Sequence, residues 1–413
     1  MNRRIAIIGG GIGGLTLALE LHAAGIECQV FEAVSRPAAV GVGINLLPHA
    51  TRRLAALGLL DELAEVAVTT RESVYYNRFG QHIHSEPSGR QAGYRWPQFS
   101  IHRGDLRAVL SGAVRDRLGG DAVVTGHRCV SFSPDRTGVT VEFARPDGRR
   151  ASHRADGLVG CDGVHSAVRR QLHPGEGEPV YSGVNMWRGV TVWPPILTGA
   201  SMIRAGWLTT GKLVAYPIRD RVDRQGRQLV NWVVEIETPR HADRDWNRAG
   251  RIEDFLPALA DWHFDWLDVP QMIKAAELVL EYPMVDQEPL PWWGTGRVTL
   301  LGDAAHPMVP RGSNGAGQAI LDAATLADAL LGHAGVADAF AAYEHERRPA
   351  TAAVVRANRA NPPDAILREI YRRTGDRPFH RVEDVISVGE LDEIINSYKR
   401  TAGYSLDALR EPG

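Results

Sequence analysis

The chain opens with an apolar strand that runs directly into a glycine-rich turn and then into a helix. Residues 4–15 read RIAIIGGGIGGL, which places G-x-G-x-x-G in the strand–turn–helix context of a dinucleotide-binding fold. We expect Gly9 to turn the backbone off the strand, Gly11 to leave space for a pyrophosphate, and Gly14 to let the helix pack closely on the strand. The helix N-terminus would then present free N–H groups to the phosphates. The pattern predicts a βαβ unit with a dinucleotide site.

A second apolar run, residues 28–31, ends in Glu32, close to the spacing expected for the acid that binds a ribose. A carboxylate at this position accepts hydrogen bonds from a free ribose 2′-hydroxyl and repels a 2′-phosphate. The expected dinucleotide is therefore FAD or NAD rather than NADP.

Composition excludes several other classes of function. The 413 residues carry 47 basic and 49 acidic side chains without a basic block, so we expect no nucleic-acid partner. Cys28, Cys129 and Cys161 lie far apart without metal-ligand spacing, which predicts buried thiols and no metal site. Because no apolar run reaches 18 residues and the first strand begins near residue 3, we expect a cytoplasmic protein without a membrane span or signal peptide. The pattern leaves the oligomeric state open.

A second signature lies near residue 300. Residues 297–307 read RVTLLGDAAHP, an apolar strand with Asp303 at its end, and residues 314–322 read NGAGQAILD. Ligands of open α/β sheets bind at the carboxyl ends of strands, where Asp303 would suit ribityl hydroxyls. A helix beginning near Gly315 would aim its positive end at the ligand. The alternative is structural: Asp303 as a helix cap and Gly315 as a turn residue.

A third stretch, residues 160–169 (GCDGVHSAVR), reads by itself as a strand-to-helix turn. Taken together, the three motifs resemble the class A flavoprotein monooxygenases, the family of p-hydroxybenzoate and salicylate hydroxylases, over residues 3–355. The resemblance implies that Asp162, Gly163 and Arg169 form the family's D-G motif, which is associated with FAD and with pyridine nucleotide. It also implies that Arg103 lies beneath the FAD phosphates. One departure is visible, because the chain has Ser-Asn-Gly at 313–315 where the family has G-Q-G.

The resemblance and the motifs together predict one set of cofactor-binding residues: Gly9, Gly11, Ile12, Gly13, Gly14, Glu32, Gly43, Arg103, Cys129, Asp162, Asp303, Gly315 and Ala316. Within the family the likeness extends furthest toward phenazine-carboxylate monooxygenases, which replace an aromatic carboxylate by hydroxyl. The segments that carry this likeness are 41–45, 100–104, 186–191, 214–218, 245–248 and 282–286.

The expected fold is α/β, or mixed α+β. A Rossmann-like FAD-binding domain is assigned to 1–75, 99–178 and 281–360, a substrate-binding sheet domain to 76–98 and 179–280, and a C-terminal helical segment without identifiable chemistry to 361–413. Nine of the ten tryptophans fall between Trp187 and Trp293. They either pack the sheet and the domain interface or wall an aromatic pocket.

The predicted substrate-site residues are Tyr216 and Arg188. Tyr216 precedes a proline on a candidate strand, and it either faces the substrate or packs in the core with its hydroxyl satisfied. Arg188 and Arg204 either pair with a substrate carboxylate or are ordinary strand residues. His49 and His306 are candidate proton carriers, although the place of His306 in the GDAAHP motif favours a structural role.

The resemblance implies a single-component, FAD-dependent hydroxylase that consumes NAD(P)H. A C4a-hydroperoxyflavin would deliver one atom of O2 to a small aromatic or heteroaromatic substrate that carries a carboxylate, with or without loss of CO2. Only one dinucleotide signature is present, so NAD(P)H is expected as a transient co-substrate. Two alternatives remain: a flavin dehydrogenase or reductase on the same fold without oxygen insertion, and an FAD-containing protein used for binding or sensing.

Overall fold

The computed structural model describes residues 3–35, 41–239, 249–360 and 362–410. Within these ranges the strands are β1 Arg4–Ile8, β2 Glu27–Phe31, β3 Gly43–Leu46, β4 Val68–Thr70, β5 Glu72–Tyr76, β6 His82–Pro87, β7 Gln98–His102, β8 Val123–Val124, β9 Arg128–Pro134, β10 Val139–Ala144, β11 Arg150–Ala155, β12 Gly157–Gly160, β13 Val180–Trp193, β14 Ser201–Trp207, β15 Gly211–Arg219, β16 Gln228–Glu237, β17 His263–Phe264, β18 Leu267–Asp268, β19 Val279–Asp286 and β20 Val298–Leu300. The helices are α1 Ile12–Ala23, α2 Pro48–Ala56, α3 Leu60–Val66, α4 Arg103–Leu118, α5 Ala167–Leu172, α6 Val269–Lys274, α7 Gly315–Gly332, α8 Val336–Ala360, α9 Ala365–Thr374 and α10 Val388–Ala402.

The first layer is a five-stranded parallel sheet in the order β20-β12-β1-β2-β8. The predicted βαβ unit is confirmed, with α1 connecting β1 to the adjacent parallel strand β2. The sequence predicts this helix over residues 15–24, but it begins three residues earlier, at Ile12, because Gly11 already occupies the N-cap position. Strand β1 is buried on both faces, as parallel strands covered by helices are, and α1, α4, α7 and α8 contribute to the same hydrophobic core.

The second layer is a seven-stranded sheet in the order β19-β13-β16-β15-β14-β5-β6. It includes a hairpin across Gly80, which the alternation of residues 73–79 and 82–85 predicts; the φ of +77° at Gly80 is an angle that glycine adopts readily. The domain boundaries placed at 75/76 and 280/281 pass through β5 and β19, both of which pair within this sheet. Ladder hydrogen bonds run the length of a strand, so such a strand belongs whole to one layer.

Two local expectations need correction. The sequence pattern predicts one helical stretch around residues 50–60, but the structure has two helices there, α2 and α3, because the chain turns at Gly58 with φ +68°. The C-terminal segment is helical as expected, with α9 and α10, but it also packs against the candidate active site described below. The 245–248 segment used for the family likeness lies outside the described residues. Among the helices that the structure describes, none is both long and apolar enough to cross a membrane.

Candidate active site

A cavity of about 610 Å3 lies between the glycine-rich turn and the seven-stranded sheet. All of the predicted site residues line it except Gly14. The cavity-lining residues from that set are Gly9, Gly11, Ile12, Gly13, Glu32, Gly43, Arg103, Cys129, Asp162, Arg188, Tyr216, Asp303, Gly315 and Ala316. Motifs more than 300 residues apart in sequence therefore meet at one place.

The three motif glycines have three different reasons to be glycine. Gly9 has φ +108°, and a Cβ on it would lie 2.3 Å from the carbonyl oxygen of Cys161. A Cβ on Gly14 would lie 2.0 Å from the Gly9 carbonyl oxygen, so Gly14 sets the close packing of α1 on the strand. A Cβ on Gly11 would meet no protein atom within 4 Å. Gly11 therefore faces open space at the N-terminus of α1, as a glycine kept for a ligand would.

Glu32 is held in place by the backbone beside the glycine turn. Its two carboxylate oxygens accept hydrogen bonds from the N–H groups of Gly10 and Val34, each at 2.8 Å. Arg107 donates to the Gly10 carbonyl oxygen at 3.0 Å and fixes the same turn from α4. A carboxylate has lone pairs for about four hydrogen bonds, so Glu32 keeps acceptor capacity for a ribose hydroxyl.

Asp303 and Asp162 both line the cavity, but only one of them has a free carboxylate. Asp303 is exposed on a short 3-10 turn, and the structure gives its side chain no partner among the described residues. Asp162 accepts hydrogen bonds from Ser166 Oγ at 2.5 Å and from the Ala167 N–H at 2.7 Å. Burial raises the pKa of Asp162 despite these hydrogen bonds. Asp162 therefore shapes the turn into α5, whereas Asp303 is available to a ligand.

Arg169 of the D-G motif supports the turn that carries Asp303 by hydrogen bonds to its backbone. Its side chain is buried, pairs with Glu176, and donates from Nη1 to the carbonyl oxygens of Ala304 and Ala305, both at 2.9 Å. This residue does not line the cavity. It contributes by holding the loop that carries Asp303.

The departure at 313–315 is explained by where Asn314 points. Its side chain is buried, accepts from His49 Nε2 at 3.0 Å, and donates to the Tyr398 hydroxyl of α10 at 3.3 Å. Gly315 and Ala316 follow as the first residues of α7, and both line the cavity. The first N–H groups of a helix lack intrahelical partners. The cavity therefore meets the backbone at the start of this helix, and Asn314 also lines it while its side-chain amide is held by His49 and Tyr398.

Neither candidate proton carrier lines the cavity. His49 is fully buried beside Asn314, and burial lowers its pKa to about 3. His306 bonds Asp322 at 2.6 Å in the core beneath the loop. Both histidines are part of the packing that supports α7 and the Asp303 turn, which agrees with the structural reading of His306.

Gly43 connects the two layers. Its N–H donates to Asn231 Oδ1 at 2.7 Å, and its carbonyl oxygen accepts from the Tyr216 hydroxyl at 2.9 Å and from Arg188 Nη2 at 2.8 Å. Burial raises the pKa of Tyr216 although the Arg188 charge opposes it, so the tyrosine is a neutral hydroxyl at pH 7. Tyr216 matches both predictions made for it: it lines the cavity, and its hydroxyl group has a hydrogen-bond acceptor.

Arg188 is a half-buried cation without an acidic partner among the described residues. Its Nε makes no hydrogen bond, and its Nη2 contacts only the Gly43 carbonyl oxygen and, at 3.5 Å, Asn231 Oδ1. Burial lowers its pKa. A guanidinium in a cavity wall that has no carboxylate partner and keeps one buried nitrogen without an acceptor can bind an anion.

A buried charge cluster that the sequence did not reveal forms another part of the wall. Lys212 Nζ contacts both oxygens of Glu235 at 3.1 Å and also pairs with Asp364, which lies just before α9. Arg204 Nε lies 3.1 Å from Asp364 and Arg311 Nε lies 3.7 Å from Glu235. Burial alone would raise the pKa of Asp364, but the Lys212 and Arg204 charges outweigh it and lower that pKa. Alternation along 212–216 could have placed Lys212 beside Tyr216, whereas nothing local marks Asp364.

The tryptophans do not wall the cavity in the part of the chain that the structure describes. Trp187 and Trp232 lie on the opposite face of the seven-stranded sheet, where both pack against Phe255. Side chains alternate between the two faces of a strand, so Met186, Val214 and Val233 face the cavity instead. The packing explanation of the tryptophans is therefore the right one for these residues.

The residues around the cavity fit a flavin dinucleotide. Open space at Gly11, a free Asp303 carboxylate and the bare N-termini of α1 and α7 converge on one cavity. Arg103 adds an exposed guanidinium at the start of α4 for which the structure gives no side-chain partner among the described residues.

Comparison with known proteins agrees with this geometry. A profile of the FAD binding domain family matches residues 3–358. Phenazine 1,6-dicarboxylic acid hydroxylase PhzS of Lysobacter antibioticus is 44% identical over 96% of both chains. 3-Amino-4-hydroxybenzoate 2-monooxygenase PtnB3 of Streptomyces platensis is 37% identical, over 91% of this chain and 88% of that relative. Klebsiella pneumoniae HpxO, solved with FAD and uric acid, superposes with a TM-score of 0.75 at 25% identity, covering 97% of this chain and 96% of HpxO.

Proposed function

This chain belongs to the FAD binding domain family and is a flavin-dependent aromatic monooxygenase, and we propose that its substrate is a planar aromatic or heteroaromatic carboxylate held by Arg188. FAD is the cofactor, NAD(P)H the reductant and O2 the source of the inserted atom. The relatives named above are hydroxylases and monooxygenases, so they favour oxygen insertion over the dehydrogenase and sensor alternatives. We place the enzyme in the cytoplasm, where NAD(P)H is supplied.

The observation that carries the proposal is the unpaired Arg188 guanidinium in the cavity wall. A substrate carboxylate would supply the anion that the protein does not, and arginine pairs with carboxylates through two parallel hydrogen bonds. The printed substrates of the relatives support the same class. Phenazine dicarboxylic acid and aminohydroxybenzoate are aromatic carboxylates, as is the hydroxynicotinate of a further relative from Pseudomonas fluorescens.

We assign FAD to the glycine turn, Glu32, Asp303 and the N-termini of α1 and α7. Glu32 would accept from the adenosine ribose and Asp303 from the ribityl hydroxyls, while Arg103 would offset the charge of the phosphates. The bound FAD supplies the chemistry of taking electrons from NAD(P)H and activating O2.

The chain's own contribution to the reaction is position and exclusion of water. Arg188 is anchored to the Gly43 carbonyl oxygen, so a carboxylate bound to it has a fixed place relative to the FAD-binding loops. Val214, Val233 and Met186 give the cavity an apolar floor, which disfavours water beside the reacting ring. Tyr216 keeps its proton at pH 7 and serves to hold Gly43.

We further propose hydroxylation at the ring carbon that bears the carboxylate, or at the carbon beside it. One oxygen atom of O2 enters the product as hydroxyl. The other is reduced to water by the two electrons that NAD(P)H supplies, together with two protons. In the decarboxylating version the carboxylate leaves as CO2; in the other version the ring loses a proton.

The test is a screen of aromatic carboxylates and their carboxamides for substrate-stimulated NAD(P)H oxidation under 18O2. We expect carboxylates to be preferred, and the hydroxylated product to carry one labelled atom. Arg188→Gln should raise KM for carboxylates about 10-fold to 100-fold and change KM for carboxamides far less. Arg227→Gln, in the turn between β15 and β16, is the matched control and should leave KM unchanged for both carboxylates and carboxamides.

Two results would count against the proposal in different ways. If Arg188→Gln raised KM equally for carboxylates and for carboxamides, the proposed role of Arg188 as the carboxylate anchor would be contradicted. Retention of a labelled carboxyl carbon in the product would contradict only the decarboxylating version.

A further inference from the structure

The cavity floor has a cation at each end and apolar side chains between them. Arg204 on β14 is paired with Val214 on β15, Val214 with Val233 on β16, and Val233 with Arg188 on β13. Directly paired residues of neighbouring strands point to the same face of a sheet. All four residues line the cavity, so they form one row across its floor. Three strand spacings separate the Cα atoms of the two arginines by about 14 Å.

The Arg204 end carries an excess of positive charge. Three cations, Arg204, Lys212 and Arg311, face two carboxylates, which leaves a formal charge of +1. The side chains of Arg204 and Arg311 are 8% and 9% exposed. Arg204 Nη1 and Arg311 Nε and Nη2 are nevertheless buried without a hydrogen-bond partner.

Unsatisfied guanidinium donors are costly in the interior because each has lost water without gaining an acceptor. Arg204 Nε already pairs with Asp364, and Lys212 pairs with both Asp364 and Glu235, so these carboxylates are committed to other nitrogens. Arg204 and Arg311 line the same cavity as Arg188, with their unpartnered nitrogens covered by protein atoms. An incoming acidic group is the partner that would satisfy them.

We infer that the substrate is a planar fused-ring dianion, with one carboxylate on Arg188 and a second acidic group on Arg204 and Arg311. The ring system would lie over Val214 and Val233. The inference rests on the proposed function for the first carboxylate and adds the second anion subsite. It goes beyond a general preference for aromatic carboxylates, because it predicts discrimination between a dicarboxylate and a monocarboxylate of the same ring.

The experiment uses the FAD-loaded enzyme with phenazine-1,6-dicarboxylate and phenazine-1-carboxylate as a matched pair. Dissociation constants are measured by the change in flavin absorbance and by calorimetry at pH 7.5, where the carboxylates are ionised. We expect the dicarboxylate to bind about 10-fold to 100-fold more tightly, the range for a hydrogen-bonded charged group. In Arg311→Gln the two dissociation constants should differ by no more than about threefold, and Arg311→Lys should restore part of the preference for the dicarboxylate.

Bound FAD per chain reports whether each variant is folded, and Arg227→Gln is again the control. Equal binding of the two compounds by the unmodified enzyme would overturn the second subsite while leaving the Arg188 anchor in place. An unchanged ratio in folded Arg311→Gln would overturn it as well. Failure of both compounds to bind would overturn the inference together with the carboxylate anchor on which it rests.

Discussion

Arg188 Nη2 lies 2.8 Å from the carbonyl oxygen of Gly43, so the proposed substrate anchor is attached directly to the backbone at the start of β3, beside the proposed FAD-binding site. Asn231 and Tyr216 bond the same glycine. The position of the substrate relative to the cofactor therefore depends on one residue that has no side chain. The first prediction concerns that residue.

Replacing Gly43 by alanine should separate the two layers slightly. The new Cβ would lie 2.6 Å from Ile218 Cγ2, 2.7 Å from Asn231 Cβ and 2.8 Å from a ring carbon of Tyr216. Overpacking of this kind costs about 1–3 kcal/mol. We expect a lower free energy of unfolding and a fall in kcat/KM for the substrate. Gly112→Ala, whose Cβ would meet only an arginine nitrogen at 4.0 Å, is the control, and an equal effect in both variants would contradict the prediction.

Asp303→Ala should weaken FAD retention more than Asp162→Ala. Asp303 is free to bond the cofactor, and hydrogen bonds to a charged group contribute about 1.5–3 kcal/mol, or roughly a 10-fold to 150-fold increase in Kd. Asp162 instead bonds Ser166 and the start of α5, so its loss should appear mainly as a lower Tm. Dialysis followed by flavin absorbance gives retention, and full FAD occupancy in both variants would show the Asp303 assignment to be wrong.

Lys212→Met should destabilise the protein by about 3–5 kcal/mol, because it leaves two buried carboxylates with too little positive charge. The measurement is urea unfolding monitored by fluorescence. Lys274→Met, on the exposed surface of α6, should change the stability by less than about 0.5 kcal/mol. Adding Asp364→Asn to Lys212→Met should recover part of the loss. A loss below about 1 kcal/mol for Lys212→Met would contradict this account of the cluster.

The buried His49 predicts a stability that falls in mild acid. Burial lowers its pKa to about 3 in the folded protein, while an unfolded histidine titrates near 6.5. Between these values the unfolded state binds the proton and the folded state does not, so the stability present above pH 6.5 is lost progressively as the pH falls toward 3. Lowering the pH from 7 to 5 should cost roughly 2 kcal/mol through this group. His49→Gln should flatten the slope, whereas the exposed His22→Gln should leave it unchanged.

The parts of the fold that were predictable are those fixed by local sequence. The glycine turn, Glu32 and the α7 start each depend on a short motif, and the structure brings them to one cavity. The orientations of the side chains were harder to predict from the sequence, because they depend on partners that are distant along the chain. The Asn314 side chain bonds Tyr398, 84 residues later, and nothing near residue 314 encodes that contact.

Long-range charge pairing was also beyond local reasoning. Asp364 meets Lys212 across 152 residues of sequence, and an Asp between a proline pair and a helix reads equally well as a surface residue. The tryptophans show a related difficulty. The sequence left open whether they pack the sheet or wall a pocket, because the face on which each one lies is set by strand register, which a two-residue period does not fix until pairing is known.

Asp364 and Tyr398 lie late in the sequence, so the order of synthesis decides when the cavity wall receives them. The glycine turn and both sheets lie before residue 301 in the sequence, yet the wall beside Lys212 and the loop before α7 take partners from residues 364 and 398. A chain that is still being synthesised therefore has the elements of a dinucleotide site before it has these two partners. The last contacts of the cavity wall are made by residues that leave the ribosome after both sheets.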